Sequence, residues 1–343
     1  MQAVVYDGPR QFTVREVATP DPGPGEVLVR VIQTGVCGTD LHLHDGQFMA
    51  VYPMTPGHET VGIVERLGDA VDALHVGDQV AVNPSASCGR CGYCREGRPL
   101  LCRELTGIGS SRPGAFAEFV VAPEAQVFSA AGMDPDVAVF IEPTSCVMHG
   151  MDRLRVTPGS SALVVGAGPT GLLLAELIAA AGAVHVTVAE IAAFKLETAA
   201  RLGIDRTFLM DRADLPGDVA RLRELAGPGQ DFGFDIVVDA TGVAAVEEAC
   251  VSLARNGGTV LFYGVADEHA RIRISPYEVF RRELTLLGSF AEINSFPAAI
   301  AALRSGRART SGIITHRFNL EDYSAALDAL RGDPTAHKVV VQV

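Results

Sequence analysis

The strongest constraint on the fold is a change in the hydrophobic pattern near the middle of the chain. From Ser161 onward, uninterrupted apolar runs alternate with stretches rich in Ala and Leu, as in ALVVGAG followed by GLLLAELIAAAG. Strands without polar alternation are buried on both faces, and the helices between them cover a parallel sheet. We therefore predict an α/β domain with a doubly wound parallel sheet over residues 151–284.

A glycine-rich turn follows the first of these apolar runs. Gly166, Gly168 and Gly171 form a G-x-G-x-x-G pattern, and Pro169 and Thr170 lie where the next helix begins. At such a turn, the N–H groups of the helix start can bind the pyrophosphate of a dinucleotide. The sequence therefore predicts a dinucleotide site in this domain.

The choice of dinucleotide depends on the end of the second strand of this domain. Glu190 ends the run VHVTVAE, and a carboxylate there accepts hydrogen bonds from the adenosine ribose and repels a 2'-phosphate. Lys195 follows five residues later and would favour the phosphate. We predict NAD, with both residues at the cofactor.

The flanking regions have a different pattern. Residues 1–150 contain short stretches of alternating apolar and polar residues separated by Gly and Pro, which predicts a β-rich, barrel-like domain. Residues 285–343 contain two short helical patterns and the final strand KVVVQV. We expect that strand to return to the first domain, which would make the first domain discontinuous.

Four cysteines lie close together in the loop that covers about residues 84–104. Cys88, Cys91, Cys94 and Cys102 have the spacing C-x2-C-x2-C-x7-C, which lets a short loop place four thiolates around one zinc ion. Four protein ligands leave no open position, so this zinc would be structural. Free thiols and an iron–sulfur cluster are the alternatives.

A second candidate metal set consists of Cys37, His58 and Glu59, in GVCGTD and PGHETVG. A catalytic zinc needs three protein ligands and a position for water or substrate. The alternative is a buried thiol beside a turn histidine. Glu142, in FIEPTSCVMHG, is either a further ligand of this zinc or a group that supports it, with an ordinary surface glutamate as the alternative.

Charge and composition exclude several classes of partner. The net charge is -13 and the pI about 5.1, and no basic patch is apparent, which argues against nucleic acid. The first residues, MQAVVYDGPRQF, lack the pattern of a signal peptide, and no apolar run reaches the length of a membrane span. We predict a cytoplasmic protein without a membrane partner, whose seven cysteines serve metal or thiol chemistry.

Together these motifs resemble the zinc-containing medium-chain alcohol dehydrogenases over essentially the whole chain. The signature G-H-E-x2-G-x5-G-x2-V of that family is matched by Gly57, His58, Glu59, Gly62, Gly68 and Val71. The four-cysteine loop and GAFAEF also occupy their expected places. The resemblance implies a GroES-like catalytic domain and a Rossmann domain, with two zinc ions per chain, one catalytic and one structural.

The resemblance also implies roles for individual residues. Cys37, His58 and Glu59 would bind the catalytic zinc, Thr39 would take the proton of the alcohol, and His42 would be the next member of the relay. Hydride would pass from the carbinol carbon to the nicotinamide. Further cofactor contacts would come from Thr241, Gly264, Val265, Ser289 and Phe290.

Within the family, the chain is most similar to the polyol dehydrogenases for sorbitol, xylitol and arabinitol. Glu59, Glu142 before Pro143, and SPYEVFRRELTLLGSF carry this similarity. Two features depart from the sorbitol enzymes: Ala291 and Glu292 replace an Arg-Tyr pair, and Leu43 replaces a substrate-contacting Tyr. We therefore expect a secondary hydroxyl of a small polyol or sugar alcohol as substrate, with sorbitol itself in doubt.

Other readings of the sequence remain open. The segment CGTDLH also resembles L-threonine dehydrogenases, and another secondary-alcohol dehydrogenase of the family would fit as well. A non-catalytic protein that joins a zinc ribbon to a Rossmann domain is a more distant alternative. By analogy with the family we expect a homotetramer, with a dimer as the alternative.

Overall fold

A computed structural model describes residues 1–48, 50–204, 206–226, 233–292 and 294–343 of the protein. The chain forms two compact units. The first contains Met1–Ser145, Glu292–Arg304 and Ser311–Val343, and the second contains Cys146–Ala291 and Ser305–Thr310. The boundaries proposed from the sequence, after residues 150 and 284, lie near these divisions.

The regular elements are named here in chain order. The strands are β1 (Gln2–Gly8), β2 (Gln11–Glu16), β3 (Glu26–Val36), β4 (Glu59–Leu67), β5 (Gln79–Val82), β6 (Ser85–Ala86), β7 (Thr106–Gly107), β8 (Phe119–Pro123), β9 (Val127–Ser129), β10 (Ser161–Val165), β11 (His185–Glu190), β12 (Arg206–Leu209), β13 (Phe234–Asp239), β14 (Ala254–Phe262), β15 (Thr285–Gly288), β16 (Ile314–Asn319) and β17 (Lys338–Gln342). The helices are α1 (Gly38–His44), α2 (Gly92–Arg95), α3 (Pro135–Ala138), α4 (Ile141–Leu154), α5 (Pro169–Ala180), α6 (Ala193–Arg201), α7 (Leu215–Leu225), α8 (Ala244–Leu253), α9 (Pro276–Arg281), α10 (Phe296–Arg304) and α11 (Tyr323–Gly332). Short 3-10 helices cover Pro99–Leu101, Glu124–Gln126 and Leu320–Asp322.

The first unit is built around a mainly antiparallel sheet with the strand order β16-β17-β3-β4-β5-β9, in which β8 also pairs with β3. Valines from β3, β4 and β5 are buried together on one side, as the alternating pattern predicts. The late strand β17 pairs antiparallel with β3, and Val339 lies opposite Val36. The final strand thus pairs with a strand from the first part of the chain.

An aromatic and aliphatic cluster anchors α1 in the first unit. Tyr6, Phe116 and Tyr323 are at most 2% exposed, and Leu43 of α1 packs in the same cluster. Tyr323 contacts both aromatic neighbours in tilted or edge-to-face geometry, the arrangements that aromatic rings prefer. This packing fixes the helix that carries several of the predicted site residues.

The second unit contains the predicted parallel sheet. Its strand order is β12-β11-β10-β13-β14-β15, and every neighbouring pair is parallel. This is the doubly wound order in which the chain changes direction between the first and fourth strands. Ala162, Leu163 and Val164 of β10 are fully buried, which explains why the sequence shows no polar alternation there.

Among the residues that the structure describes, no helix has both the length and the apolar character needed to cross a membrane.

Candidate active site and metal centres

The structure brings Cys37, His58 and Glu59 together, with one ligand atom of each within 4.8 Å of the others. Cys37 follows β3 and caps the start of α1, while Glu59 opens β4. The register of the β3–β4 pair places Gly35 opposite Glu59, so the end of one strand and the start of the next bring these side chains to one place. One thiolate, one imidazole and one carboxylate are donors that zinc accepts in catalytic sites.

Asp40, to which the sequence analysis gave no role, orients this set. Its side chain is 1% exposed; Oδ2 accepts the backbone N–H of Cys37 at 2.8 Å, and Oδ1 lies 3.6 Å from Nδ1 of His58. Burial lowers the pKa of His58, but the charges and hydrogen bonds of Asp40 and Cys37 together raise it well above 6.5. A carboxylate at one ring nitrogen leaves the other nitrogen for a metal.

The two predicted relay residues lie on α1. The Oγ1 atom of Thr39 is 3.8 Å from Sγ of Cys37, and Nδ1 of His42 is 2.9 Å from Oε1 of Gln47. Residues three apart share one face of a helix, so Thr39 and His42 are neighbours on that face. Leu43, by contrast, is 1% exposed within the hydrophobic core, which explains why an aliphatic residue is accommodated there.

Glu142 is buried at 8% exposure, so the alternative of an ordinary surface glutamate is wrong. It falls outside the 4.8 Å set of Cys37, His58 and Glu59, and its carboxylate groups with that of Glu292. Burial raises the pKa of Glu142 to about 8; the neighbouring His58 lowers it, and the carboxylates of Glu292 and Glu59 raise it further. Two carboxylates therefore lie beside the candidate metal ligands.

Glu292 was noted in the sequence as a departure from relatives but was given no role. It is 2% exposed, burial raises its pKa, and a hydrogen bond with Ser85 counteracts that rise. A buried carboxyl group in this place is a hydrogen-bond partner for hydroxyl groups.

Lys338 is a further residue that the sequence analysis did not assign. It is 3% exposed and forms an ion pair with the carboxylate of Glu59. Its Nζ also donates a hydrogen bond to the Val36 carbonyl at 3.3 Å. The candidate metal ligand Glu59 is thus paired with a buried cation.

The four cysteines also converge, with their sulfur atoms within 4.8 Å of one another. Sγ of Cys91 lies 3.5 Å from that of Cys94 and 3.9 Å from that of Cys102. The backbone N–H of Cys88 donates to Sγ of Cys102 at 3.3 Å. Backbone N–H groups lower the pKa of Cys91 to about 6, whereas burial and the neighbouring thiols of Cys91 and Cys102 raise the pKa of Cys94 to about 11, so without a metal the four sulfur atoms share protons. This geometry fits a closed four-thiolate site.

The glycine turn of the second unit has the form that a pyrophosphate site needs. Gly166 has φ of +106°, and a Cβ on Gly171 would collide with the carbonyl oxygen of Gly166. Gly168 caps α5, and a Cβ there would meet no atom within 4 Å. The first and third glycines are therefore required by the turn and by helix packing, and the second leaves the backbone accessible.

Glu190 is tied to this turn. Its carboxylate accepts backbone N–H groups from Ala167 at 2.9 Å, Ile191 at 2.8 Å and Ala192 at 3.1 Å. Lys195 lies on the following helix, α6, with its ammonium 5.8 Å from the ring centre of Phe194. A recess of about 540 Å³ beside this strand end is lined by Ile191, Leu209, Met210, Asp211 and Arg212.

The other predicted cofactor residues follow the ends of β13, β14 and β15. Thr241 donates its hydroxyl to Asp239 at 2.6 Å, and the N–H of Gly264 donates to the carbonyl of Asp239 at 2.9 Å. Val265 and Phe290 are 58% and 42% exposed. The backbone N–H of Ser289 donates to the Phe262 carbonyl at 3.4 Å. The carboxyl ends of parallel strands share one edge of the sheet, so these residues lie on the same edge as the glycine turn.

Comparison with known families agrees with this architecture. Residues 23–132 match the alcohol dehydrogenase GroES-like domain, and residues 169–305 match the zinc-binding dehydrogenase domain. D-arabinitol dehydrogenase 1 of Uromyces fabae is 40% identical over 331 residues, covering 96% of this chain and 94% of the relative. D-altritol 5-dehydrogenase of Agrobacterium fabrum is 36% identical (99% and 98% coverage), and an L-threonine 3-dehydrogenase of Anaeromyxobacter dehalogenans is 32% identical (92% and 91%).

Solved structures give the same result. A protein of Sinorhizobium meliloti, described as a zinc-binding dehydrogenase and bound to NADP, superposes with a TM-score of 0.92 at 34% identity, covering 100% of this chain and 99% of that one. A short chain alcohol dehydrogenase of E. coli CFT073 in complex with NADH gives 0.90 at 27% identity, with 100% and 99% coverage. Because two family domains and relatives of full length agree, this chain belongs to the zinc-binding alcohol dehydrogenases and is a zinc-dependent alcohol oxidoreductase that uses a nicotinamide cofactor.

Proposed function

We propose that the protein oxidises a secondary hydroxyl of a small polyol or sugar-derived alcohol to a ketose or ketone, with NAD as the hydride acceptor. The observation that carries the proposal is the convergence of Cys37, His58 and Glu59 within 4.8 Å. Those three donors would hold a zinc ion with three protein ligands, which is the number of protein ligands in catalytic zinc sites.

In this proposal the residues of the chain have distinct tasks. Zinc, when bound by Cys37, His58 and Glu59, supplies a Lewis acid for the alcohol oxygen, and the nicotinamide supplies the hydride acceptor. Thr39 accepts the proton of the alcohol and passes it toward His42 on the same helix face. Glu142 lies with Glu292 next to the metal ligands and helps to hold the metal site in place. Cys88, Cys91, Cys94 and Cys102 hold the second, structural zinc.

Two lines of support favour a polyol as the substrate. The relatives that are 40% and 36% identical are named for D-arabinitol and D-altritol. The buried carboxyl groups of Glu142 and Glu292 add hydrogen-bonding groups beside the metal ligands, and a polyol offers further hydroxyls next to its reacting carbon. L-Threonine is the second candidate, because several relatives near 32% identity are L-threonine 3-dehydrogenases.

The choice of NAD is supported by Glu190. Its carboxylate accepts the backbone N–H of Ala167 in the glycine turn and those of Ile191 and Ala192, which follow it in the chain, and a fixed negative charge there opposes a 2'-phosphate. Structural relatives are described with NADP and with NADH, so the fold accepts both cofactors. Glu190 is therefore the residue on which this part of the proposal depends.

We further propose a homotetramer, with a dimer as the smaller alternative, in the cytoplasm. Strand β15 ends the strand order of the parallel sheet, and Tyr277 and Phe280 on α9 are 64% and 79% exposed. An edge strand next to exposed aromatic side chains is a suitable surface for a second copy of the chain. All seven cysteines are unbridged, in keeping with a reducing compartment.

A substrate panel tests the proposal. Purified protein is incubated with D-arabinitol, xylitol, sorbitol or L-threonine and either NAD or NADP, and NADH or NADPH is measured by absorbance. We expect turnover of a polyol with NAD, and about two zinc ions per chain by elemental analysis. Turnover of L-threonine alone would select the second candidate, and a metal count of one per chain would contradict the two-zinc assignment.

A further inference from the structure

Lysine is rare in this chain: only two of the 28 Lys and Arg residues are lysines, at positions 195 and 338. Lys338 opens β17 and is 3% exposed. We infer that Lys338 is a positioning residue that holds one carboxylate oxygen of Glu59 and thereby presents the other oxygen to the metal. The inference rests on the metal site proposed above, and concerns how this chain keeps Glu59 in the ligand set.

The ion pair is built into adjoining strands. Lys338 on β17, Gly35 on β3 and Glu59 on β4 belong to three successive strands of one sheet. A Cβ on Gly35 would collide with Oε2 of Glu59 and would come within 2.8 Å of Cε of Lys338. Glycine at this position therefore gives the ion pair its space. The Val36 carbonyl, 3.3 Å from Nζ, fixes the ammonium from a second side.

Both partners are nearly inaccessible, with side-chain exposures of 4% for Lys338 and 2% for Glu59. Buried charges are tolerated when each is paired and hydrogen-bonded, and removal of one partner leaves the other uncompensated. A paired carboxylate cannot rotate freely, because its oxygen remains on the ammonium. Outer groups of this kind orient metal ligands in many sites.

The ammonium also lies in the field of Cys37 and Glu142. Its charge therefore acts on the metal in a second way, by repelling a divalent cation. The two effects have opposite signs: loss of positioning weakens metal binding, and loss of repulsion strengthens it. An affinity measurement can separate them, and our inference requires that positioning dominates.

A compact ammonium suits this place better than a guanidinium. Lysine carries a point charge on a thin stem, whereas arginine presents a wide planar group with five donors. Gly35 leaves too little space for a methyl group beside the pair. The use of lysine here, in a chain that otherwise relies on arginine, agrees with that steric limit.

The test compares wild-type protein with Lys338→Met, which keeps the length of the side chain and removes the charge. Metal-free protein is titrated with Co²⁺ against a competing chelator, and the absorption bands of the mixed Cys37–His58–Glu59 site are followed separately from those of the four-cysteine site. We expect affinity at the mixed site to fall about 10- to 100-fold, as for other outer-shell substitutions. The four-cysteine site and the control variant Lys195→Met should keep their affinities.

A second comparison tests whether Lys338 acts through Glu59. In the Glu59→Gln background, adding Lys338→Met should not lower Co²⁺ affinity, because the carboxylate to be positioned is gone and only the repulsion by the ammonium is removed. This pair removes both charges, so it remains informative even if the single Lys338→Met variant does not fold.

The possible outcomes distinguish a failure of the positioning role from a failure of the proposed function. Unchanged or tighter binding in Lys338→Met, or an equal loss in the Glu59→Gln background, overturns the positioning role and leaves the proposed function standing. If wild-type protein binds Co²⁺ only at the four-cysteine site, the mixed metal site is wrong, and the proposed function falls with it.

Discussion

Glu190 gives the sharpest test of the cofactor assignment, because its carboxylate has two separable effects. In the cofactor complex proposed above it opposes a 2'-phosphate, and it accepts the backbone N–H of Ala167 in the glycine turn and those of Ile191 and Ala192, which follow it in the chain. A full charge repelling a doubly charged phosphate at about 6 Å in a water-like medium costs about 1.4 kcal/mol, or about tenfold in kcat/KM. Glu190→Gln removes this repulsion while keeping one acceptor oxygen.

Glu190→Ala removes the acceptors as well. The N–H groups of Ala167, Ile191 and Ala192 then depend on water, and the contact between the strand end and the glycine turn loses about 1 to 3 kcal/mol of support. We expect the ratio of kcat/KM for NADP over NAD to rise about tenfold in both variants. In the alanine variant, kcat/KM should also fall for both cofactors.

The assay is initial-rate kinetics with NAD and NADP at a saturating concentration of the preferred alcohol. Glu197→Gln, a substitution on the neighbouring helix α6, is the matched control for a general loss of negative charge. An unchanged cofactor ratio in Glu190→Gln would refute the reasoning, since the charge would then have no influence on the 2' position. An alanine variant no weaker than the glutamine variant would refute the role of Glu190 at the turn.

Three further predictions concern the relay residue Thr39, the glycine turn and the buried Glu142. Thr39→Ala should lower turnover by about 10²- to 10⁴-fold with unchanged metal content by elemental analysis, and full turnover would remove Thr39 from the relay. Gly171→Ala should lower the melting temperature, because its Cβ meets a backbone oxygen. Gly168→Ala should instead weaken NADH binding in a fluorescence titration without a change in melting temperature. Equal melting temperatures for the two variants would contradict the different roles of these glycines. Glu142 has a pKa of about 8 in the folded protein against an ordinary 4.5, so its contribution to stability is complete below pH 4.5 and is lost as the pH rises toward 8. Thermal unfolding of metal-free protein at a series of pH values should show this loss, and Glu142→Gln should reduce it. An equal pH profile in both proteins would contradict the shift in pKa.

Much of the fold was predictable because it depends on local pattern. The buried run of β10 and the glycine turn after it are contiguous in sequence, and they identified the parallel sheet. The four cysteines lie within one loop, so their spacing alone predicted that they converge. The division of the chain at Ser145 was less predictable, since it falls inside the continuous helix α4.

The candidate site was predictable only where a motif carries it. Cys37, His58 and Glu59 were found from the segments GVCGTD and PGHETVG, but Lys338 reaches the carbonyl of Val36 from 302 residues away. Such a contact depends on the register between β17 and β3, which no local pattern reveals. The scarcity of lysine was the available signal for Lys338. Asp40 could have been found as an acidic residue in the first turn of the helix that follows Cys37.

The two metal sites differ in when they can exist during folding. The four cysteines are so close in sequence that an unfolded chain can gather them around an ion, whereas Cys37 and Glu59 meet only after β3 and β4 have paired. Lys338 reaches Glu59 only when β17 has also paired with β3. If both proposed sites take an ion, topology would set the order of loading: the cysteine loop could take its ion from a nascent chain, and the mixed site would receive one only from a chain whose long-range strand pairing is complete.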